Sequence, residues 1–358
     1  MTSSLCLEYP AIYDNEHRHL EREVIIVKKD KSIIMHKASH QGRCKGKPLI
    51  YFNSQQFVYT EDRGTTFEVV YKERTLSVST VCDGHGGYMT SYIVTDAIPE
   101  LFPACLEICL GDIRNALDRL FAELTIYIMS VANIIGNSGT TCNVTIFDPE
   151  NEKVYIASLG DSPTLRYRKG DNGDYYLAWK SDDQDCSDQE EIERMVKIHR
   201  DNGDENAVAS DVVFQAILKG KETGVWRNRW TRCMTHSSFG DLKNNYYPGI
   251  VNTKPRIYVQ KWTNRQVSDI WIQCTDGLFD GLNHLSIGIQ PRQDIRLGEI
   301  ARHLDLCHRG DNVANSLHQM QIDSILKEKI DKYPSRPDSI RSWIESNIDN
   351  HLTKVFMW

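Results

Sequence analysis

The sequence has no apolar run long enough to cross a membrane, and its first residues lack the basic start and apolar core of a signal peptide. Thr2 stands where myristoylation requires glycine. Internal repeats, low-complexity tracts and linker-like segments are also absent. We therefore expect one domain over residues 1–358, without a membrane partner. The expected location is intracellular and reducing, in the cytoplasm or else the nucleus.

Paired cysteines and an excess of positive charge are missing too. None of the ten cysteines forms a CxxC pair, so neither a zinc site nor a disulfide framework is expected. The formal net charge is −7, which argues against a nucleic-acid partner bound through a broad basic face. An acidic chain of this kind is compatible with several carboxylates gathered around a cation.

The most informative stretch is the Asp-Gly-His-Gly-Gly string at residues 83–87. The alternating run at 74–79 predicts a half-buried strand that delivers a carboxylate, a main-chain carbonyl and an imidazole to one turn. Carboxylate and main-chain oxygens suit a hard cation such as magnesium or manganese. His85 could move a proton near neutral pH. Taken alone, the string is equally well explained as a glycine-rich turn with a surface histidine.

Alternating and helical patterns predict the main elements. Strands are expected at 23–27, 32–35, 57–63, 74–79, 141–147, 153–159, 164–168, 175–179, 256–262, 269–274 and 352–358. Helices are expected at 89–97, 113–135 and 190–200, with a mostly helical region at 284–346. The polar start at 1–20 predicts a loosely docked segment. The region 182–250 is the least regular. Its segment from 220 to 249 is aromatic, basic and turn-rich, which is typical of an elaborated loop, or flap, over a site.

Acidic residues follow the ends of several predicted strands. Because strand ends in a sheet lie together in space, these side chains could converge. Close carboxylates repel unless they are protonated or bridged by cations. Two divalent ions about 4 Å apart clamp a phosphate and acidify a water between them. The acidic residues are Glu61, Asp62, Asp83, Asp161, Asp276 and Asp349.

The order and spacing of these motifs resemble the metal-dependent serine/threonine protein phosphatases of the PPM, or type 2C, family. The resemblance spans about residues 53–358 and rests on an ordered set of short motifs. They are Glu-Asp-Arg at 61–63, the string at 83–87, Ser-Gly-Thr-Thr at 138–141, Gly-Asp-Ser at 160–162, Phe-Gly-Asp at 239–241, Thr-Asp-Gly-Leu-Phe-Asp at 275–280 and Asp-Asn at 349–350. The resemblance implies an α+β fold: a four-layer αββα sandwich with two antiparallel sheets flanked by helices.

The resemblance also implies a site for two magnesium or manganese ions and a weaker third ion. Asp83 would bridge the two main ions, and the Gly84 carbonyl would bind one of them. Asp276 and Asp349 would hold one ion. For the third ion, Asp276 would act together with Asp161.

Glu61 and Asp62 would hold the other main ion, directly or through water. A water that bridges the metals would attack phosphorus in phosphoserine or phosphothreonine of a protein substrate, and His85 would protonate the leaving oxygen. No phosphoenzyme is expected, and a monomer is the favoured state.

Three positions depart from the family pattern, because arginine usually stands where this chain has Phe57, Pro163 and Ser237. The first of these arginines grips the phosphate through a bidentate contact. The cations that could replace it are Arg43, Lys45 and Arg63. The departures motivate an alternative function, a catalytically weak or inactive pseudophosphatase that acts as a regulatory or interaction module. A metal-dependent phosphoesterase for small molecules is a further alternative.

Two residues compete for the last aspartate of the family. The Gly-Asp-Asn at 310–312 offers Asp311, whereas Asp349 precedes an apolar terminal strand and is therefore preferred. Choosing Asp349 implies a helical insert at about 305–345.

Overall fold

The computed structural model describes residues 24–26, 33–40, 50–52, 55–57, 61–218, 221–229, 235–242, 249–261, 269–280, 293–307, 313–314, 316–321, 323 and 351–357. Several predictions concern residues outside these ranges. They are the start at 1–20, most of the insert at 305–345, and the side chains of Arg43, Lys45, Asp311 and Asp349.

The first sheet is antiparallel and has the strand order β16-β10-β9-β6-β5. Its strands are β5 (Thr66–Tyr71), β6 (Arg74–Val81), β9 (Cys142–Asp148), β10 (Lys153–Leu159) and β16 (Arg256–Lys261). In the register, Val81 lies opposite Asn143 and Leu159 lies opposite Cys142. The strands that precede Asp83 and Asp161 therefore end on either side of the start of β9.

The second sheet is also antiparallel, with the order β1-β2-β18-β17-β11-β12. Its strands are β1 (Val24–Ile26), β2 (Ile33–His40), β11 (Thr164–Lys169), β12 (Tyr175–Lys180), β17 (Ile270–Cys274) and β18 (His351–Met357). The predicted hairpin of β1 and β2 is confirmed, and the predicted terminal strand lies between β2 and β17. Because β17 ends at Cys274, this sheet delivers Asp276 to the same end as the first sheet delivers its carboxylates.

An apolar cluster fills the space between the two sheets, with Phe147 of the first sheet 4.8 Å from Phe356 of the second between ring centroids. Burial of such large rings is the main favourable term in packing one sheet on another. The cluster consists of Met35, Phe147, Val154, Ile156, Trp271 and Phe356.

Buried polar side chains join the sheets near the end that carries the motifs. Gln273 of β17 donates from Nε2 to both the carbonyl and the Oδ1 of Asn143, each at 2.9 Å. The ammonium of Lys354 in β18 is 1% exposed and donates to the carbonyls of Thr65 at 2.6 Å and Thr80 at 2.9 Å. Because a buried polar group that loses its partner costs free energy, these bonds fix how the two sheets meet.

Helix α1, Met89–Ile108, is longer than the predicted helix at 89–97. Pro99 and Pro103 lie inside it, although proline lacks an N–H donor and crowds the preceding turn. Its buried face continues past both prolines and packs on the first sheet, so tertiary packing outweighs the local signal. The residues of that face include Val94, Ile98, Phe102 and Leu106.

Helix α2, Ile113–Ser130, packs on the same sheet, and its buried side chains confirm the predicted apolar stripe. The predicted span of 113–135 is interrupted after Ser130. A separate short helix α3, Ala132–Ile135, follows, and Gly136 ends it with φ at 65°. The shared buried residues are Ile113, Leu117, Leu120, Phe121, Leu124 and Ile128.

A short helix α6, Gly277–Asp280, follows β17. Helix α7, Gln293–Leu306, packs on the second sheet through Ile300 and Leu304. Those side chains belong to one apolar cluster with Ile272 of β17, whereas Trp271 belongs to the cluster shared with the first sheet. The neighbouring residues Trp271 and Ile272 of β17 thus belong to two different apolar clusters. None of the helices among the described residues is long and apolar enough to span a membrane.

The region 182–250 contains more regular structure than its sequence suggests. The predicted helix at 190–200 is confirmed as α4 (Gln189–Asp201). It is followed by α5 (Ala209–Val212) and an antiparallel hairpin of β13 (Val213–Leu218) and β14 (Lys221–Asn228). The expectation of a loop over 220–249 was therefore wrong for its first part. The region has its own small core, which includes Cys186, Met195, Ala207, Val212 and Ile250.

Candidate active site

Asp83 lies in the turn between β6 and the short strand β7, Gly84–His85. Strand β7 pairs with β8, Gly139–Thr140. The Asp83 N–H donates to Thr141 Oγ1 at 3.0 Å, and its carbonyl accepts from the Thr141 N–H and the Thr140 hydroxyl, each at 2.9 Å. The Gly-Thr-Thr motif, far away in the sequence, therefore fixes the backbone that carries the Asp83 carboxylate.

Thr141 also connects the Asp83 turn to the turn that carries Asp161. Its Oγ1 lies 2.7 Å from Ser162 Oγ, and the two hydroxyls share a hydrogen bond. Asn143 Nδ2 donates to the Ser162 carbonyl at 2.9 Å. The predicted proximity of these two aspartate-bearing turns thus has a direct hydrogen-bonded basis.

The second sheet brings the Asp276 turn to the same place. The Cys274 N–H donates to the Pro163 carbonyl at 3.1 Å, so the end of β17 is bonded to the residue two positions after Asp161. Thr275 donates its N–H to the Leu352 carbonyl and accepts the Leu352 N–H at Oγ1, both at 3.0 Å. Backbone bonds therefore join both aspartate turns and the start of β18.

Glu61 lies against the glycine-rich turn. Its Oε1 accepts the Gly87 N–H at 2.7 Å, and its main-chain carbonyl accepts from the Ser91 hydroxyl. A Cβ at Gly84 would collide with that carbonyl and with the Ser91 hydroxyl. Glycine is therefore required at residue 84 for the Glu61 segment to approach the turn so closely.

Of the strand predicted at 57–63, residues 58–60 lie outside the described part of the chain, and residues 61 and 62 are not in a strand. The regular strand here is β4, Gln55–Phe57, which pairs with β3, Ile50–Phe52. Further on, Arg63 makes an isolated bridge with Cys82, through N–H to carbonyl bonds of 2.8 and 2.7 Å. The bridge sets the Glu61 segment beside the residue that precedes Asp83, and the intervening Asp62 is buried with 4% of its surface exposed.

His85 is bonded to a carboxylate for which the sequence analysis gave no role. Its Nε2 lies 2.8 Å from Oδ2 of Asp241, which follows the short strand β15, Phe239–Gly240. The His85 side chain is 25% exposed and that of Asp241 is 3% exposed. Asp241 belongs to the Phe-Gly-Asp motif that contributed to the family resemblance. The motif was the only available signal, because nothing in the sequence shows which histidine a distant aspartate meets.

The family model for protein phosphatase 2C matches residues 62–289, which is more than half of the 358-residue chain. The chain belongs to the protein phosphatase 2C family. This is a family of phosphatases that generally depend on magnesium or manganese.

Two solved structures share the fold of this chain. The serine-threonine phosphatase 2C from Toxoplasma gondii matches with a TM-score of 0.54 at 14% identity, over 94% of this chain and 98% of that one. A sex determining protein from C. elegans also matches with a TM-score of 0.54 at 14% identity, over 92% of this chain and 66% of the nematode chain. No curated protein matches the sequence at a significant level. At such low identity, the likeness establishes the fold alone.

The donor chemistry of the predicted metal site fits the ions of a protein phosphatase 2C. Carboxylates and the Gly84 carbonyl are hard oxygen donors, as magnesium and manganese prefer. As placed, no three His, Cys, Asp or Glu side chains among the described residues form a group that could hold a metal ion. The predicted ligand Asp349 and its rival Asp311 are outside the part of the chain that the structure describes. The ligand set therefore remains a prediction.

Two of the three positions where the family usually has arginine carry small side chains that are shielded from solvent. Pro163 and Ser237 are both buried. Arg63 is close to the candidate site, with its guanidinium 5.0 Å from the centre of the Tyr92 ring and 5.7 Å from that of Tyr88. These rings hold the cation by cation–π contact at the start of α1.

Three cysteines lie directly behind the carboxylate turns and are buried free thiols: Cys82, Cys142 and Cys274. Burial raises the pKa of Cys142 and of Cys274 well above the ordinary thiol value. Protonated buried thiols pack as small apolar groups. Cys142 and Cys274 therefore support the strand ends as packing groups.

Proposed function

We propose that the chain is an active metal-dependent protein serine/threonine phosphatase that hydrolyses phosphoserine and phosphothreonine in protein substrates. Family membership supports the class of reaction. The observation that carries the step from family to activity is the hydrogen-bonded junction at Thr141. This residue joins the turns of Asp83 and Asp161, at the end of the sheets where the Asp276 turn also arrives.

The proposal assigns metal binding to residues from both sheets. The ligands would be Glu61, Asp62, Asp83, the Gly84 carbonyl, Asp161, Asp276 and Asp349, around two ions and a weaker third. When bound, divalent cations supply positive charge for the phosphate and make a water acidic enough to attack phosphorus near neutral pH. Leu352 supports the choice of Asp349 over Asp311, because it follows Asp349 by three positions and is bonded to Thr275.

In this proposal His85 is the general acid that donates a proton to the leaving oxygen. A serine or threonine alkoxide is a poor leaving group, so a positioned acid accelerates its departure by about 10²–10⁴-fold. His85 has a carboxylate partner and a partly exposed ring at the mouth of the turn. The chain needs no nucleophilic side chain, and we expect no phosphoenzyme.

The architecture belongs to the same proposal. Helices α1 and α2, the first sheet, the second sheet and α7 would form the four layers of an αββα sandwich within one domain. The alternation of helix-facing and sheet-facing clusters supports this order. Residues 182–250 would flank the site as a flap. We also propose a monomer in the cytoplasm.

A pseudophosphatase that acts as a regulatory or interaction module is the second candidate. The residues Pro163 and Ser237 favour it, because neither carries a guanidinium that could bind phosphate, and both are buried. A weak phosphate contact would raise KM, whereas a missing one would abolish turnover.

The test measures phosphate release from a phosphothreonine peptide by the purified full-length chain, with manganese or with a chelator. The proposal expects turnover only with the metal, and loss of it in Asp83→Asn and Asp276→Asn. Asp118→Asn is the matched control, because Asp118 is an exposed carboxylate on α2.

Metal binding is followed in parallel by thermal unfolding. Manganese at 100 times its Kd should raise the free energy of unfolding by about 2.7 kcal/mol, and Asp83→Asn should remove that gain. Stabilisation without turnover would establish the pseudophosphatase. The absence of both effects would reject both candidates.

A further inference from the structure

The contact between His85 and Asp241 is built by a small sheet with the order β15-β8-β7. In its register, Gly139 of the middle strand lies opposite His85 on one side and opposite Gly240 on the other. A Cβ at Gly139 would collide with both His85 Nε2 and Asp241 Oδ2. The hydrogen bond therefore passes directly over a residue that has no side chain, and glycine at this position is what permits it.

Asp241 is held in place more firmly than a surface carboxylate would be. The Ser238 hydroxyl donates to its Oδ2 at 2.7 Å, and its own N–H donates to the Ser138 carbonyl at 3.2 Å. Its φ of 55° lies in the left-handed region, which a residue with a side chain adopts at a cost. Such a conformation persists only when the surroundings impose it, so the direction of this carboxylate is fixed by its neighbours.

The carboxylate determines which nitrogen of His85 carries a proton. An ionised aspartate only accepts hydrogen bonds, so the bond at Nε2 requires an Nε2–H in either charge state of the ring. Nδ1 is then the nitrogen that gains or gives up a proton.

We propose that Asp241 is a positioning residue that holds His85 with Nδ1 toward the leaving oxygen, supported by Ser238 and made possible by Gly139. The inference rests on the proposed phosphatase function. As the attacking water oxygen bonds to phosphorus, the bond from phosphorus to the leaving oxygen breaks. The imidazolium gives its Nδ1 proton to that oxygen, and the proton lost by the water restores the imidazolium through solvent.

Two substrates separate a positioning role from a merely structural one. Asp241→Asn should lower kcat for a phosphothreonine peptide by about 10²-fold. It should change kcat for p-nitrophenyl phosphate far less, because a nitrophenolate leaves without a proton. KM should stay the same for both substrates. An equal fall in kcat for the two substrates, or a rise in KM alone, would overturn the proposal.

Two further variants guard against simple misfolding. Ser238→Ala keeps the carboxylate but removes its support, and should reproduce the substrate selectivity at a smaller size. In the His85→Gln background, Asp241→Asn should have no further effect on the peptide, because residues that act as a unit are not additive. An additive loss in the double variant would contradict the proposal.

Nitrogen NMR of histidine-labelled protein, with His85→Gln to assign the signal, tests the geometry without any activity. Neutral His85 should carry its proton on Nε2 in the wild type and lose that preference in Asp241→Asn. A wild type with the proton on Nδ1 would refute the inference even in an active enzyme. If the wild type is inactive but shows the Nε2–H form, the phosphatase proposal and the catalytic role fail, while the finding that Asp241 fixes the tautomer of His85 stands.

Discussion

His85 and His236 are both hydrogen-bonded through one ring nitrogen, but their partners differ in charge. His85 Nε2 meets the carboxylate of Asp241 at 2.8 Å, whereas His236 Nδ1 meets the amide nitrogen of Asn228 at 3.3 Å. Their exposure differs too: the His85 side chain is 25% exposed and His236 is 1% exposed. An amide donor and burial favour the neutral ring of His236.

Burial lowers the pKa of His236 to about 3, and the positive charge of Arg194 contributes in the same direction. His236 therefore stays neutral near neutral pH and holds together the core of the 182–250 region, with Cys186 Sγ 3.5 Å from its Nδ1. The pair of histidines teaches that surroundings, and not residue type, decide which imidazole can deliver a proton.

The largest effect should separate the two histidines in catalysis. His85→Gln should lower kcat on a phosphothreonine peptide by about 10²–10⁴-fold, the range for loss of a general acid. His236→Gln should leave kcat of the folded protein nearly unchanged, because its ring has no part in the reaction. Steady-state rates, measured after circular dichroism has verified folding, make the comparison. An equal loss of kcat in the two variants would contradict the proposed difference between the two histidines.

A pair of glycine substitutions tests the contact between His85 and Asp241 without changing either residue. Gly139→Ala should lower kcat about 10²-fold, because the new methyl group wedges His85 and Asp241 apart and a misplacement of about 1 Å is enough for such a loss. Gly298→Ala in α7 is the matched control, since no atom lies within 4 Å of its added Cβ. An unchanged rate in Gly139→Ala would mean that the contact does not serve catalysis.

The neutral state of His236 predicts a dependence of stability on pH. Unfolded His236 binds a proton below its ordinary pKa of about 6.5, whereas the folded residue does so only near 3. As the pH is lowered between these two values, the unfolded state binds a proton that the folded state does not. The free energy of unfolding should therefore fall by about 1.4 kcal/mol for each unit by which the pH is lowered.

Urea unfolding of the wild type and of His236→Gln at pH 7.5, 6 and 5 measures the contribution of His236 to this pH dependence. The wild type should lose more stability on acidification than the variant, with a slope difference of about one proton. Parallel slopes would show that His236 is protonated in the folded chain.

The smallest effect concerns Gly298, an exposed glycine inside α7. Gly298→Ala should raise the free energy of unfolding by about 1 kcal/mol, because alanine has less backbone freedom to lose in a helix. Chemical denaturation measures the change, and a destabilised variant would show that the added methyl group meets something in the folded chain.

Local patterns were sufficient to predict the strands that carry the motifs. Strands β6, β9, β10 and β17 were expected from alternating residues. Strands β6, β10 and β17 lead to motif turns, whereas β9 follows the Ser-Gly-Thr-Thr motif. Longer-range effects were missed. Helix α1 continues through Pro99 and Pro103 because its far end is buried, and burial of that face is not visible in a local pattern.

The partner of His85 could not be predicted from the sequence either, because it is also set by a long-range contact. Asp241 lies 156 positions further along the chain, and the contact depends on three short strands meeting at Gly139. Similarly, the Glu61 segment looked like a strand end but is placed by a single bridge between Arg63 and Cys82. Sequence supplies the residue types at a site, whereas tertiary contacts supply their partners.

The central claim is that carboxylates from both sheets hold divalent cations beside the 83–87 turn. Its most direct test is a crystal structure grown with manganese and measured at the manganese absorption edge. The account predicts two anomalous peaks about 4 Å apart, with oxygens of Asp83 and Asp276 within about 2.5 Å of a peak. No peak at this end of the sheets, or manganese bound without Asp83 and Asp276, would contradict it.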